Sequence, residues 1–312
     1  MNAVSETLSN AAPTAVCNLL TDSCCDLTHA YLEENGVGVL HFTYAETGKE
    51  DGLSGVDDLF ESRSAHDFYE AIRGGAEPMT SQPSPGEFER VFRAALATGR
   101  PTVYITLSSG ISGCYEGACA VRDRLAEEFG PDIPLYVVDS LIGSTAQTLL
   151  VVEAIRRRDM GYTAEELARW VEEARYRVNL IFMVDDLHAL RRGGRIPAGV
   201  ATVGSLLGVK PLLGFDLDGK LCMAGVARGR KKAMRKFVEV FESAHDCGDN
   251  EDVVALGNAD CPEDMRAVEE MLHGVCPTLR FVETNIGPTI GCHVGPGMMS
   301  CVFWGPDRRE SR

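Results

Sequence analysis

The sequence lacks the cysteine and metal signatures that would assign a function at once. Its 312 residues contain no C-x-x-C spacing, and the eleven cysteines are scattered, apart from the adjacent Cys24 and Cys25. A zinc ribbon or a disulfide framework is therefore not expected. We predict instead that most cysteines act as small buried hydrophobic residues, and no metal or cofactor is predicted.

Positive charge and long apolar runs are also scarce. The formal net charge of -16 repels nucleic-acid phosphates and anionic membranes, which argues against both as partners. No run approaches the roughly 18 apolar residues of a membrane span. The start, MNAVSETLSN, has neither the basic nor the apolar region of a signal peptide. These features predict a cytoplasmic protein without stable membrane insertion, in which an anionic ligand would need a local pocket of donors.

What is present is the balance of a globular protein, with 45% hydrophobic and 24% charged residues. Apolar strand candidates alternate with helical periodicity through the first half. Such alternation is typical of βαβ units and a parallel sheet. One helix is marked especially well, because Ser84 and Glu87 form an S-x-x-E capping box. The strand candidates are Ala15–Leu20, Val37–Phe42, Thr102–Leu107 and Pro134–Val138.

The pattern restarts near residue 160, where Thr163 and Glu166 form a second capping box. Farther on, Asp218-Gly219 joins two apolar runs and predicts a β-hairpin. A hairpin does not fit an all-parallel sheet, so the second half is expected to hold a mixed sheet. The predicted fold class is α/β, with a three-layer α/β/α domain over residues 1–160 and a mixed-sheet α/β domain over residues 161–312.

Two hydroxyl-rich segments could bind an anion. In Met79–Ser84 the last serine caps a helix, which leaves Thr80 and Ser81 without a helical role. The segment Leu107–Gly113 joins a strand to a helix expected to start near Ser112, where free N–H groups and glycines suit an anion. A plain tight turn explains it equally well. The loop matches neither G-x-G-x-x-G nor G-x-S-x-G, and no G-x-x-x-x-G-K-[ST] occurs in the chain.

Two further segments combine glycine with basic or titratable side chains. Arg191 and Arg192 before Gly193 read as an ordinary helix end, but this reading leaves Arg195 unexplained. His293 lies among glycine and proline residues, and we predict that it sits in a tightly shaped loop with a functional role. Hydroxyls, helix N–H groups, an arginine and a histidine together suit a carboxylate or a phosphate. The sequence assigns no base held by an orienting acid, so no catalytic residue is predicted.

Seven short segments follow one another along the chain between about residue 16 and about residue 304. These are Thr21-Asp22-Ser23, TSQPSPGEF, LSSGISG, VVDS, L-x-x-x-GGRI, LLGVKPLL with its DG hairpin, and H-x-GPG. In this order they resemble the motifs of the DegV family.

The resemblance implies that a long-chain fatty acid lies between the two domains and is presented to a separate fatty acid kinase. By match, Thr80 and Ser112 correspond to the main carboxylate contacts, and Arg195 and His293 to the head-group end. The predicted fatty-acid-binding residues are Thr80, Ser81, Ser109, Ser112, Gly113, Arg195 and His293. The chain departs from the family pattern at Cys24, Cys25 and Cys114, which replace threonines, and a thiol is a weaker donor than a hydroxyl.

Two other functions remain open from the sequence. One is a serine-dependent acyl hydrolase or transferase that uses Ser112 with His293. The other is a regulatory protein that senses lipid and binds another protein. The fatty-acid carrier, which catalyses no reaction itself, is the interpretation that the motifs favour.

Overall fold

A computed structural model describes residues 3–196 and 208–310. Within these ranges the fold alternates strands and helices, as the sequence predicts. The strands are β1 Asn18–Asp22, β2 Val37–Leu40, β3 Thr43–Ala45, β4 Ser54–Val56, β5 Met79–Ser81, β6 Thr102–Thr106, β7 Leu135–Asp139, β8 Val178–Met183, β9 Val209–Phe215, β10 Leu221–Arg228, β11 Val253–Asn258, β12 Arg280–Asn285 and β13 Met299–Trp304.

The helices vary in length from one turn to more than four. They are α1 Ala3–Leu8, α2 His29–Glu34, α3 Ala65–Arg73, α4 Pro85–Leu96, α5 Cys114–Phe129, α6 Thr145–Asp159, α7 Ala164–Ala174, α8 His188–Arg192, α9 Arg230–Ala244, α10 Pro262–Val275 and α11 Pro288–Val294, with a 3₁₀ turn at Ser23–Cys25. None of the described helices is long and apolar enough to cross a bilayer.

The first sheet is parallel throughout, with strand order β2-β1-β6-β7. Neighbouring residues of one strand point to opposite faces, and each face is covered by helices. Leu20 packs in the core cluster that contains α4 and α5, whereas Leu19 packs in the cluster that contains α6 and α7. This arrangement confirms the predicted three-layer α/β/α architecture.

The second sheet is mixed, with order β10-β9-β8-β13-β11-β12. The hairpin predicted at Asp218-Gly219 is present, because β9 and β10 pair antiparallel and Gly219 adopts a positive φ of 71°. Helices α9 and α10 cover one face of this sheet. Its other face turns towards α6 and the first sheet, so α6 packs against strands of both sheets. The domain boundary near residue 160 therefore stays a prediction.

Local signals predicted the starts of two helices, α4 and α7, correctly. The Ser84 hydroxyl accepts a hydrogen bond from the N–H of Glu87 at 3.2 Å, and Thr163 and Glu166 form the full capping box. The helix expected to start near Ser112 begins two residues later, at Cys114. Part of the motif LLGVKPLL lies outside the described residues.

The prediction that His293 lies in a loop was wrong, because this residue belongs to α11. Pro288 occupies the first turn of that helix, where a missing N–H costs nothing. Gly291 serves close packing rather than a turn, since a Cβ there would lie 2.7 Å from the hydroxyl oxygen of Tyr69. A small antiparallel sheet of β4, β3 and β5 was not predicted at all.

The cysteines behave largely as predicted. All eleven are free thiols, and six of them are buried. Cys24 and Cys114 belong to one core cluster and Cys25 to another. Burial raises the pKa of each of these three thiols well above the usual value of 9.0, so they are neutral small side chains in the core.

Candidate ligand-binding cavity

A cavity of about 190 Å³ lies between the carboxyl end of the parallel sheet and the inner face of the mixed sheet. Both halves of the chain contribute to its wall, which is mostly apolar. The apolar side chains are Phe42, Leu107, Ile111, Leu180, Phe182, Leu190, Phe215, Leu221, Ile290, Val294 and Met298. The polar ones are Thr80, Gln82, Ser112, Ser144, Thr145, Arg195, Thr289, His293 and Ser300, with Gly113 and Gly143 completing the lining.

Thr80 and His293 meet in this wall, although 213 residues separate them in sequence. The Thr80 hydroxyl lies 2.8 Å from Nε2 of His293, within hydrogen-bond distance. Burial, reinforced by the charges of Arg195 and Arg192, lowers the pKa of His293 to about 4 from 6.5. The imidazole is therefore neutral at neutral pH and can either donate to or accept from the threonine.

Arg195 lines the cavity beside this pair. Its Nε donates to the carbonyl oxygen of Ile111 at 3.1 Å, and its Nη1 donates to the carbonyl of Gly193. No carboxylate of the described residues lies within 4.0 Å of its guanidinium. Burial lowers the pKa of Arg195, yet an arginine remains charged at any working pH. The wall thus holds a positive charge that has no neutralising acid among the residues described.

Ser112 and Gly113 bring the N-terminus of α5 to the cavity. The Ser112 hydroxyl accepts a hydrogen bond from the N–H of Cys114 at 3.2 Å, so its own proton is available to a ligand. The Gln82 side chain closes over the same helix end, because a Cβ on Gly113 would lie 2.8 Å from its Oε1. Gln82 belongs to the motif TSQPSPGEF, but it is not among the site residues that the sequence predicts.

The structure does not bring Ser81 and Ser109 into the wall. Ser81 follows Thr80 in β5, so its side chain points to the opposite face and is exposed. Ser109 lies in the loop after β6, where its N–H donates to the Asp139 carboxylate at 3.1 Å. Five of the seven predicted site residues line the cavity, namely Thr80, Ser112, Gly113, Arg195 and His293.

The loop after β6 is held in place by the hairpin of the second half. The Ser108 hydroxyl donates to the carbonyl of Gly219 at 2.7 Å. Gly110 lies so close to this turn that a Cβ on it would be 2.3 Å from the Gly219 backbone. The wall that carries Ser112 is therefore positioned by contacts between the two halves.

Two buried aspartates hold the N-terminus of α11. Asp26 accepts from the N–H of Gly287 at 2.8 Å and from the Ser144 hydroxyl at 2.5 Å. Asp57 accepts from the N–H of Thr289 at 2.9 Å. Burial raises the pKa of Asp26 to about 8 and that of Asp57 to about 6, both from 3.8. These acids come from the first half and position the helix that carries His293, a role that sequence reasoning missed.

The described hydrogen bonds do not join a nucleophile, a base and an acid, as the hydrolase alternative would require. His293 is bonded to Thr80, and no described hydrogen bond joins it to Ser112. No described acid orients its ring, as a nucleophile–base pair would need. Among the described residues, one group could hold a metal, formed by His66, Glu70 and Asp260. It lies apart from the cavity wall, and Arg73 already pairs with both of its carboxylates.

The fold and the cavity define an α/β protein of two main sheets with a largely apolar cavity between them. A model described as an uncharacterised protein of the DegV family matches residues 17–305. A DegV domain-containing protein of Clostridium perfringens is 30% identical over 292 residues, which cover 94% of this chain and 98% of that protein. The chain belongs to the DegV family.

Solved structures agree with this assignment. DegV from Bacillus subtilis, described as a fatty acid binding protein, is 26% identical with a TM-score of 0.77, covering 94% of this chain and 100% of that one. The Fatty Acid Kinase B3 protein of Streptococcus pneumoniae, loaded with linoleic acid, shares the fold at 18% identity, with a TM-score of 0.79 and coverage of 93% and 100%. Bacillus subtilis DegV is thus a fatty-acid-binding protein with the fold of this chain.

Proposed function

We propose that this chain binds a long-chain fatty acid in the cavity and presents its carboxylate to a separate kinase. The observation that carries the proposal is the collection of Thr80, Ser112, His293 and Arg195 in one otherwise apolar cavity. An acyl chain gains about 0.8 kcal/mol for each CH₂ group that it buries. Tail burial alone therefore provides useful affinity, provided that the charged head group is satisfied.

The polar residues meet that condition. The Thr80 and Ser112 hydroxyls and the N–H groups at the start of α5 donate hydrogen bonds to the carboxylate. The Arg195 guanidinium provides the opposite charge, and its planar fork suits both a carboxylate and the phosphoryl group that a kinase would add. The local positive charge also offsets the net charge of -16, which otherwise repels an anion.

Presentation to a kinase is supported by the resemblance and by the name of the Streptococcus pneumoniae protein. Lipid extraction and mass spectrometry of the purified chain test the first half of the proposal. A co-purified fatty acid in near-stoichiometric amount is the expected result, and a chain that neither carries nor takes up any fatty acid would contradict it.

The second half is tested with the fatty acid kinase of the source organism and labelled ATP. We expect an acyl phosphate only when kinase, chain and fatty acid are all present. ATP turnover or ester hydrolysis by the chain alone, abolished by Ser112→Ala, would favour the hydrolase alternative instead.

A further inference from the structure

The cavity wall contains a second polar group, formed by Thr145 and Ser300, besides the cluster assigned to the carboxylate. The Ser300 hydroxyl donates to Oγ1 of Thr145 at 2.8 Å, and both residues are almost fully buried. Thr145 starts α6 in the first half, whereas Ser300 lies in β13 of the second half. No described hydrogen bond links this pair to Thr80, Ser112, Arg195 or His293.

On the side of the mixed sheet, the lining around the pair is apolar. In the mixed sheet Ser300 is the cross-strand partner of Phe182, and both line the cavity. The other described lining residues from these strands are Leu180, Phe215 and Leu221. Ser300 is thus the one polar side chain that the described strands of this sheet contribute to the wall. A simple alkyl chain would pack better against an alanine or a valine at this position.

Gly257 makes the room for the two hydroxyls. It is the partner of Ser300 on the other side, in β11. A Cβ on Gly257 would lie 2.1 Å from Oγ1 of Thr145 and 2.6 Å from Oγ of Ser300. Three elements from both halves therefore combine to place two hydroxyls at the cavity wall.

The hydrogen bonds of the pair are incomplete. Two hydroxyls carry two hydrogens, and the bond between them uses one. The other hydrogen has no acceptor among the described residues, and lone pairs on both oxygens remain free. Buried polar groups of this kind normally have partners. An oxygen atom on a ligand would complete this pair.

We propose that the pair is a subsite for a neutral oxygen, a hydroxyl or a keto group, carried along the acyl chain. This inference rests on the proposed fatty-acid function and narrows its substrate class to oxygenated long-chain fatty acids. The subsite suits a neutral group because neither hydroxyl is charged. No described hydrogen bond joins either hydroxyl to a charged side chain, so the pair offers no counter-charge for a second carboxylate.

Binding of stearate and of hydroxystearates to the full chain tests the inference. The hydroxystearates differ in the position of the hydroxyl group, which lies near the carboxylate, in the middle of the acyl chain or near its methyl end. We expect at least one hydroxystearate to bind about three- to tenfold more tightly than stearate, the effect of one hydrogen bond. This preference should vanish in the double variant Thr145→Val/Ser300→Ala and shrink in Ser300→Ala, while stearate binds at least as tightly as before.

Thr148→Val is the matched control. Thr148 lies in the same helix and is equally buried, but its hydroxyl bonds to the carbonyl of Cys25 and does not line the cavity. This variant should keep the preference even if it is less stable. Equal binding of stearate and all hydroxystearates by the unaltered chain, or a preference that survives in the double variant, would overturn the inference alone. A chain that binds neither acid would overturn the fatty-acid proposal as well.

Discussion

Gly193 faces the imidazole of His293 so closely that a Cβ on the glycine would lie 2.2 Å from Nδ1. The His293 ring is therefore held between the backbone of the glycine-rich segment after α8 on one side and the Thr80 hydroxyl on the other. The glycine that sequence reasoning assigned to a helix end is needed for contact with a side chain a hundred residues away.

Gly193→Ala is expected to displace the His293 ring. Overpacking of this kind costs roughly 1–3 kcal/mol, so the melting temperature should fall, and acyl phosphate formation with the kinase should fall with it. Gly274→Ala is the matched control, since a Cβ there meets nothing within 4 Å and Gly274 lies inside a helix. The control should be neutral or slightly stabilising. Equal stability of both variants would show that the ring has room to move.

Thr80→Ala and Ser112→Ala should each weaken fatty-acid binding in a folded protein. A lost hydrogen bond to a charged group costs roughly 1.5–3 kcal/mol, so titration with a long-chain fatty acid should show a clear rise in Kd. Ser81→Ala controls for the strand, because Ser81 is adjacent but points away from the cavity. Unchanged affinity in the double variant Thr80→Ala/Ser112→Ala would exclude these residues as the carboxylate contacts.

Arg195→Ala and His293→Ala should separate binding from phosphoryl transfer. Tail burial is unaffected, so most fatty-acid affinity should remain, whereas acyl phosphate formation with the kinase should be largely lost. Arg169→Ala is a suitable control, since Arg169 pairs on the surface with Glu165. Phosphorylation at the unaltered rate in both variants would mean that Arg195 and His293 only shape the wall.

Asp26→Asn should change how stability depends on pH. The pKa of Asp26 is raised in the folded protein to about 8 from 3.8, mainly by burial. Its contribution to stability is therefore complete below the unfolded pKa and is lost as the pH rises towards about 8. Between the unfolded and the folded pKa, we compare the free energies of unfolding of the unaltered protein and the asparagine variant. The difference between them should fall by up to about 1.4 kcal/mol per pH unit as the pH rises. A difference that does not vary with pH, measured by denaturant unfolding, would contradict the raised pKa.

Much of the fold was predictable because its signals are local. Ser84 with Glu87, Thr163 with Glu166, and Asp218-Gly219 each specify a helix start or a turn within a few residues. The sheet of β3, β4 and β5 escaped detection because its strands are three residues long and mostly exposed. Segments this short do not develop the alternation that marks a strand.

The candidate site was predictable only in part, for a different reason. The motifs indicated Thr80 and His293 separately, but nothing in the sequence shows that they share a hydrogen bond. Leu180 and Phe182 look like ordinary strand core residues, and only the fold reveals that they line a cavity. The sequence does not reveal the Thr145–Ser300 pair either, because single hydroxyl residues at a helix start and in a strand are common.

Each half of the chain contributes one wall of the cavity. Ligand binding therefore requires that both halves are folded and in contact. Residues 1–160 carry Thr80, Ser112 and the acids that hold α11, while His293, Arg195 and the sheet face lie beyond them. Neither half encloses a ligand alone, so separated halves should fail to bind rather than bind weakly. A bound fatty acid would in turn stabilise the contact between the halves, so the melting temperature should rise with ligand concentration. A substitution that weakens the contacts between the halves would then lower fatty-acid affinity, even if it lies far from the acyl chain.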